Sequence, residues 1–273
     1  MPYWAFGFHF SREMADNSPI GIFDSGVGGL SVLAEIKKVL PSENFVFLAD
    51  QSHFPYGAKT KRQLENLSER ITNFLVNYYI KLLIIACNTA TCHALDYLRS
   101  KFNLPIIGVV PAIKVAAIQS KKARVVIMST PATVKSAYLS SLITDFAPQT
   151  HVLKLGCKGL EESVEVLNKK QYCQLLDIFI KKIKNFEADV IVLGCTHFPF
   201  LKDEIKKRIG SKVKIIDSGR AIAKRTKFIL QKMNFLCQAK SADLYFTTAS
   251  PDKFSKVAST LLGQKISAQK AII

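Results

Sequence analysis

The sequence predicts an α/β fold made of two similar domains, each a mainly parallel sheet flanked by helices. Three observations support this prediction. Apolar runs of strand length alternate with amphipathic helical patterns along the chain of 273 residues, which is typical of parallel sheets. The order of strand, small polar turn and helix occurs twice. Two of the apolar runs, at residues 82–86 and 190–194, are followed directly by a cysteine.

The first series of elements is justified by its apolar runs and by the turn residues between them. Its predicted strands are 20–24, 44–49, 82–86 and 106–110. Its predicted helices are 30–40, 61–79, 88–101 and a helix after Pro111 that ends at Ser120. Pro41 ends the first helix, and the second shows leucine and isoleucine on one side, as an amphipathic helix does.

The second series starts at Arg124 and follows the same order. Its predicted strands are 125–128, 152–155, 190–194 and 213–216. Its predicted helices are a capped start at 129–133 and the segments 170–185, 202–209 and 220–232. A hairpin-like tail is expected to finish the chain. Residues 20–91 and 124–196 therefore look like two divergent copies of one unit, with a boundary near residues 111–123.

Composition indicates a globular chain. Hydrophobic residues make up 48% and charged residues 22%, which is normal for a packed core. No apolar run is long enough to span a bilayer, and the N-terminal residues lack the features of a signal peptide. We expect residues 1–17 to be a poorly ordered extension. The six cysteines follow no disulfide framework, so we expect free thiols and a cytoplasmic location.

The chain is strongly basic, with a formal net charge of +17. Such a surface attracts nucleic acid or anionic membranes. The cations occur mostly in pairs on helical faces, without interleaved aromatic residues and without a recognised nucleic-acid-binding motif. We therefore expect solvated helix faces and only non-specific, salt-dependent binding of nucleic acid.

The glycine-rich turn from Asp24 to Gly29 allows three interpretations. The spacing of Gly26 and Gly28, with Asp50 ending the next strand, is similar to half of a dinucleotide fingerprint. However, Asp24 would repel a pyrophosphate. The second interpretation is that Asp24 and Ser25 face a ligand that carries an amine. The third is a tight turn in which Asp24 caps the helix.

Cys87 and Cys195 are the central candidates for chemistry. Buried free cysteines are usually inert, and a metal site with Cys92, His93 and His197 matches no common zinc spacing. A cysteine hydrolase would use Cys195 with His197 and leave Cys87 without a role. Two thiols without a metal are suited to inverting a stereocentre, one removing a proton and the other returning it. Helix-start amides would lower a thiol pKa toward a usable value and would hold a carboxylate.

Four segments, IFDSGVGGLSVL, FPYG, ACNTAT and GCTHFP at residues 22–33, 54–57, 86–91 and 194–199, together resemble the bacterial glutamate racemase family. The resemblance implies a cofactor-independent isomerase with two α/β domains and its active site in the cleft between them. It implies that no metal is bound. The first domain would comprise 18–112 plus 214–273 and the second 113–213, because the family returns its C-terminal chain to the first domain.

The resemblance also implies roles for individual residues. Cys87 and Cys195 would be the proton donor and acceptor pair, assisted by Asp24 and His197. The implied substrate contacts are Asp24, Ser25, Tyr56, Gly57, Asn88, Thr89, Thr196 and His197. In relatives that racemise aspartate, an acid usually stands at the position of His197.

The function expected from the resemblance is conversion of L-glutamate to D-glutamate for peptidoglycan synthesis, cell wall biogenesis and cell shape. We expect a cytoplasmic homodimer that binds glutamate and no membrane. Some members of the family inhibit DNA gyrase, which the charge makes worth testing here. The alternatives are an aspartate racemase, a cysteine hydrolase and a non-enzymatic module that binds amino acids or nucleic acid.

Overall fold

The computed structural model of the chain describes residues 17–237 and 242–273. These residues form two compact units, one comprising the chain up to Val109 together with Gly219–Ile273 and the other comprising Val110–Ser218. The expected N-terminal extension, residues 1–17, lies outside the described residues apart from Asn17. None of the helices in the described parts combines the length and the apolar character needed to cross a bilayer.

Strands and helices alternate along the chain. The strands are β1 (Ile20–Asp24), β2 (Phe45–Ala49), β3 (Leu82–Ile85), β4 (Ile106–Gly108), β5 (Arg124–Ser129), β6 (His151–Gly156), β7 (Val190–Leu193), β8 (Lys214–Ile216), β9 (Leu244–Thr247) and β10 (Ala268–Lys270). The helices are α1 (Leu30–Val39), α2 (Lys61–Val76), α3 (Asn88–Lys101), α4 (Ile113–Gln119), α5 (Pro131–Lys135), α6 (Ala137–Phe146), α7 (Leu160–Glu165), α8 (Lys169–Asn185), α9 (Lys202–Ile209), α10 (Gly219–Met233) and α11 (Pro251–Leu262).

Each unit is built on a parallel sheet, which confirms the predicted fold class. The first sheet has the order β10-β9-β2-β1-β3-β4 and the second the order β6-β5-β7-β8. Within residues 17–237 and 242–273, every strand pairing is parallel. The strands β1, β2, β3 and β7 are buried along their whole lengths, as is expected of strands with helices on both faces.

The two sheets share one strand order, which confirms the predicted internal repeat. In the first, β1 lies between β2 and β3, and β4 follows β3; in the second, β5 lies between β6 and β7, and β8 follows β7. By this correspondence β3 and β7 are equivalent strands. The chain continues from them to Cys87 and Cys195. Because parallel strands end at the same edge of a sheet, each cysteine lies at the carboxyl edge, where α/β proteins bind their ligands.

The prediction of a hairpin-like tail is wrong. β9 and β10 are parallel, and α11 crosses between them. β9 also pairs with β2, so the C-terminal chain extends the first sheet. Ser250 caps α11 and Pro251 begins it, which is a favoured helix start. Two short strands look alike in sequence whether they run parallel or antiparallel, and the crossover helix α11 is the feature that decides between the two.

Two helices of the second unit, α6 and α7, are absent from the sequence prediction. α7 has six residues, too few for a helical period to be recognised. It begins after Gly159, whose φ of 83° lies in the left-handed region that glycine adopts without strain. This helix carries three glutamates, Glu161, Glu162 and Glu165, and it contributes to the candidate site of the second unit.

Candidate active site

The first unit gathers its predicted site residues at the carboxyl edge of its sheet. Asp24 is the last residue of β1, while Asp50 and Cys87 lie just beyond β2 and β3. The register pairs Asp24 with Ala49 and Phe23 with Ile85. The three side chains are therefore brought together by strand pairing, although their positions in the chain are far apart.

Cys87 is the N-cap of α3 and is 5% exposed. Its sulfur accepts a hydrogen bond from the amide of Ala90 at 3.5 Å, and its thiol lies 3.7 Å from Ser25 Oγ. Burial, and then the negative charge of Asp24, raise the pKa of Cys87 to about 12. The amide of Ala90 and the hydrogen bonds from Ser25 oppose that rise. The helix start does lower this pKa, as expected, but burial outweighs the effect and the net shift is upward.

Asp24 is fully buried and turned into the glycine-rich turn. Its Oδ1 accepts a hydrogen bond from the amide of Gly26 at 2.8 Å, and Ser25 Oγ lies 3.4 Å from the same oxygen. A nucleotide pyrophosphate would need that amide, so the geometry disfavours the dinucleotide interpretation. A buried carboxylate beside a thiol instead favours a cationic ligand group such as an amine.

Asp50 is the centre of a second hydrogen-bonded group at the same edge. Its Oδ2 accepts a hydrogen bond from the hydroxyl of Tyr56 at 2.7 Å. Its Oδ1 lies 2.8 Å from His53 Nδ1 and accepts from Thr248 Oγ1 at 2.8 Å. Burial and the neighbouring charges of Asp50, Cys87 and Asp24 raise the pKa of Tyr56 well above its usual value. Tyr56 is therefore a neutral hydroxyl held beside the thiol.

The remaining predicted residues of this unit lie at the same edge. Asn88 and Thr89 are buried in the first turn of α3, and the side-chain amide of Asn88 donates to the carbonyl of Val109 at 3.2 Å. Gly57 follows Tyr56 in a short 3-10 turn, Tyr56–Ala58, and is half-buried. The first unit thus unites Asp24, Ser25, Tyr56, Gly57, Cys87, Asn88 and Thr89.

In the second unit, Cys195 lies beyond β7 and is 6% exposed. The hydroxyl of Ser129, at the end of β5, donates to the carbonyl of Gly194 at 2.5 Å, which fixes the turn that presents the thiol. Cys195 Sγ is 3.8 Å from His197 Nδ1. Thr196, between them, is also buried. The predicted group Cys195, Thr196 and His197 therefore forms one half-site.

His197 is held by a carboxylate that the sequence analysis missed. Its Nε2 lies 2.7 Å from Glu165 Oε2, and both side chains are buried. Glu165 ends α7 and is separated from His197 by 32 positions along the chain. The sequence gives only a weak signal for Glu165. The segment after β6 places acidic residues among apolar ones, which does not by itself indicate a site.

Glu161 is a second buried acid of α7 that the sequence analysis missed. Its Oε2 has no hydrogen-bond partner among the described residues. Burial, with Glu162 nearby, raises the pKa of Glu161 to about 7, while His197 opposes the rise. Because residues four apart lie on the same face of a helix, Glu161 shares the face of Glu165.

In the parts of the chain that the structure describes, no three His, Cys, Asp or Glu side chains are grouped as metal ligands. All six cysteines lie in these parts and are free thiols. Cys157 is a buried thiol that lies outside the predicted sites, and burial raises its pKa far above the usual range.

Comparison of the sequence and comparison of the structure with known proteins both find racemases. A family model for Asp/Glu/hydantoin racemases matches residues 28–226. Among curated relatives, the glutamate racemase of Herpetosiphon aurantiacus is 38% identical over 245 residues, covering 88% of this chain and 96% of that protein.

Two solved structures are also similar. Glutamate racemase isoform RacE1 of Bacillus anthracis matches with a TM-score of 0.87 at 30% identity, covering 94% of this chain and 98% of that one. Escherichia coli glutamate racemase, in complex with L-glutamate and the activator UDP-MurNAc-Ala, matches with a TM-score of 0.80 at 33% identity, covering 92% and 97%.

Proposed function

This chain belongs to the Asp/Glu/hydantoin racemase family and is an amino-acid racemase, and we propose that it interconverts L-glutamate and D-glutamate through Cys87 and Cys195. One observation carries this proposal. The two thiols follow equivalent strands of two sheets with the same strand order, and each has a second titratable side chain nearby, Asp24 for Cys87 and His197 for Cys195.

The proposed reaction moves protons only. One cysteine thiolate forms an S–H bond with the α-hydrogen as the C–H bond breaks, and the electron pair passes into the α-carboxylate. The other cysteine thiol then gives its proton to the opposite face of the same carbon. The two sulfurs exchange protonation states in each turnover, and the reverse reaction restores them. No electron is gained or lost, so the reaction needs no redox partner.

The raised pKa of Cys87 supports an amino acid as the substrate. Burial is the first cause of that rise and the charge of Asp24 is the second. An α-ammonium group placed near Asp24 would offset the repulsion between the carboxylate and a thiolate. Binding of the substrate would therefore lower the pKa of Cys87 and favour its thiolate form. The helix-start amides at Asn88 and Thr89 are suited to the α-carboxylate.

On the second half-site, His197 is the group that can exchange a proton with Cys195. The carboxylate of Glu165 holds the imidazole of His197 in a fixed orientation. This pairing of an acid and an imidazole supports proton transfer at Cys195. The proposal requires that both thiols act on one α-carbon.

The proposal is tested by exchange of the α-hydrogen of L- and D-glutamate in heavy water, with a metal chelator present and no cofactor added. We expect the wild-type protein to exchange both enantiomers, and Cys87→Ser and Cys195→Ser to lose racemisation by at least about a hundredfold. Full racemase activity in either variant would refute the thiol pair.

The same assay separates the alternatives. Exchange with aspartate and not with glutamate would indicate an aspartate racemase. Loss of activity in Cys195→Ser alone would favour a cysteine hydrolase type of site. No exchange with either amino acid would leave only a binding function.

We also propose that the product D-glutamate serves peptidoglycan synthesis in the cytoplasm, as the family resemblance implies. Six free thiols are consistent with a reducing compartment. The test is expression of the chain in a bacterium that requires D-glutamate for growth. We expect growth without added D-glutamate for the wild-type protein and no growth for Cys87→Ser.

A further inference from the structure

The helix α10 has one buried side and one broad exposed side. Its buried residues include Ile222, Thr226 and Leu230, and the helix packs against α1. At about 100° per residue, the exposed residues occupy an arc of about 160° on the opposite side. We call this side the α10 face; it consists of Arg220, Ala221, Lys224, Arg225, Lys227, Phe228, Gln231 and Lys232.

The α10 face has an uncompensated positive charge. Five of its eight residues are cations, and α10 contains no acidic residue. Elsewhere in the described chain, several exposed cations lie beside a carboxylate, as Lys207 does with Glu204 and Lys61 with Glu65. Among residues 17–237 and 242–273, no carboxylate lies within ion-pair distance of the five cations of this face.

An aromatic ring lies in the middle of these cations. Phe228 is 54% exposed, and the guanidinium of Arg225 lies 5.4 Å from the centre of its ring. The expectation that the cations have no interleaved aromatic residue is therefore wrong for this helix. The pattern is not visible in the linear sequence, because Lys224, Phe228 and Lys232 are four positions apart and become neighbours only on the surface of a helix.

We propose that the α10 face binds single-stranded nucleic acid, with its cations on the phosphates and Phe228 stacked on a base. Proteins that bind single strands combine a cationic track with exposed aromatic rings in this way. From Arg220 to Lys232 the helix extends about 18 Å. That length corresponds to about five phosphates of a stacked strand at about 3.4 Å each.

The composition of the face favours nucleic acid over a lipid surface. A helix that lies on a membrane buries a continuous apolar side in it. The apolar side of α10 is already buried within its own unit, and Phe228 and Ala221 are the apolar residues of the exposed side. A double helix is also disfavoured as the main ligand, because its stacked bases leave no ring face for Phe228.

The test is fluorescence anisotropy with a fluorescein-labelled oligo(dT) of about 20 nucleotides, titrated from about 50 to about 200 mM salt. We expect the triple variant Arg220→Gln/Lys224→Gln/Lys227→Gln to bind at least about tenfold more weakly. The slope of log affinity against log salt should fall by about 2, because each lost phosphate contact removes about 0.7.

Phe228→Ala tests the aromatic contribution separately. We expect it to weaken binding of the single strand at least about fivefold, because stacking on an aromatic side chain contributes about that much or more. The salt slope should not change, since no charge is removed. Binding of a duplex of the same length should be unaffected by this variant.

A matched control removes three exposed cations from α8, in the variant Lys169→Gln/Lys170→Gln/Lys181→Gln. This variant has the same net charge as the α10 triple variant. We expect its affinity for the oligonucleotide to fall by less than about twofold. Equal losses in the two triple variants would overturn the proposal in favour of net charge alone. Binding to vesicles that contain phosphatidylserine, abolished by the α10 variant without any oligonucleotide binding, would overturn it in favour of lipid.

The proposal is independent of the proposed racemase function. The α10 face contains none of the proposed catalytic or substrate-binding residues. We expect all three variants to keep the thermal unfolding midpoint of the wild-type protein and its glutamate racemisation. If the protein does not bind the oligonucleotide, the racemase proposal still stands. If it does not racemise glutamate, the nucleic-acid proposal still stands.

Discussion

His197 is contacted at both of its ring nitrogens. Cys195 lies on the Nδ1 side at 3.8 Å and Glu165 on the Nε2 side at 2.7 Å. A buried carboxylate hydrogen-bonded to one nitrogen sets the tautomer and orientation of the imidazole. Glu165 is thus a positioning residue, since it acts on the thiol through the ring of His197.

Removal of this carboxylate gives the first prediction at the residue scale. We expect Glu165→Gln to lower kcat for glutamate racemisation by about tenfold or more, because orientation and charge at a general acid or base are worth that much. KM should change less, because Glu165 is not among the proposed substrate contacts.

The control for this prediction is Asp203→Asn, which neutralises an exposed carboxylate of the same unit. The pH profile of kcat is the readout that distinguishes positioning from packing. A Glu165→Gln enzyme with the wild-type pH profile and an unchanged kcat would show that the pair is structural only.

Glu161 gives a second prediction at this scale. Its pKa is raised from an ordinary value of 4.5 to about 7, mainly by burial. The folded protein therefore binds this proton more tightly than the unfolded chain does. The contribution of Glu161 to stability is therefore fully present below about pH 4.5 and is lost as the pH rises through about pH 7. The decline attributable to this group is about 3 kcal/mol at most.

The measurement is urea unfolding of the wild-type protein and of Glu161→Gln at several pH values between 4.5 and 8. We expect the variant to be more stable relative to the wild-type protein at pH 8 than at pH 4.5, because glutamine does not ionise. A difference that stays constant across this range would contradict the buried, protonated state of Glu161.

At the element scale, the site depends on the ends of parallel strands. Asp24, Asp50 and Cys87 lie at or just beyond the last residues of β1, β2 and β3. The turn after β1 must pass very close to Asp24. A Cβ at Gly29 would lie 2.7 Å from Asp24 Cβ and 3.1 Å from Ala86 Cβ, so glycine is required there for space.

We therefore expect Gly29→Ala to lower stability by about 1–3 kcal/mol and to reduce kcat/KM for glutamate, because the added methyl group displaces Asp24. Thermal unfolding and steady-state kinetics measure the two effects. Gly210→Ala is the matched control. Its φ of 86° strains an alanine, but no atom lies within 4 Å of the added carbon. It should lose stability and keep its activity.

At the scale of the first unit, a buried ion pair joins distant parts of the chain. Glu43 precedes β2 and Lys81 precedes β3, and their charged atoms are 2.7 Å apart, with both side chains 2% exposed. Glu43 also accepts from the amide of Cys237 at 2.8 Å, and Lys81 donates to the carbonyl of Phe235 at 2.7 Å. The pair therefore anchors the returning C-terminal chain.

Breaking this pair gives the prediction at that scale. We expect Lys81→Met to lower the free energy of unfolding by about 3–5 kcal/mol, because it leaves the buried carboxylate of Glu43 without its cation. The double variant Glu43→Leu/Lys81→Met should recover part of the loss, since it removes both buried charges. Urea unfolding measures all three proteins. A double variant less stable than Lys81→Met would contradict this account.

For the molecule as a whole, local patterns in the sequence determined the fold class and the position of both thiols. Apolar runs of strand length, each followed by small polar residues and a helical period, require only neighbouring residues to be recognised. The repeat was visible for the same reason. The interpretation of Cys87 and Cys195 as strand-end thiols followed from it, and both indeed lie beyond equivalent strands.

The tertiary structure alone decided which carboxylates support the site and what protonation state they favour. Glu165 reaches His197 from a short helix 32 positions away, and Thr248 reaches Asp50 from a distance of 198 positions. The pKa of Cys87 likewise depends on burial by residues from several strands, which outweighs the local effect of the helix start. Such contacts and desolvation arise only when the strands pair, so no pattern among neighbouring residues contains them.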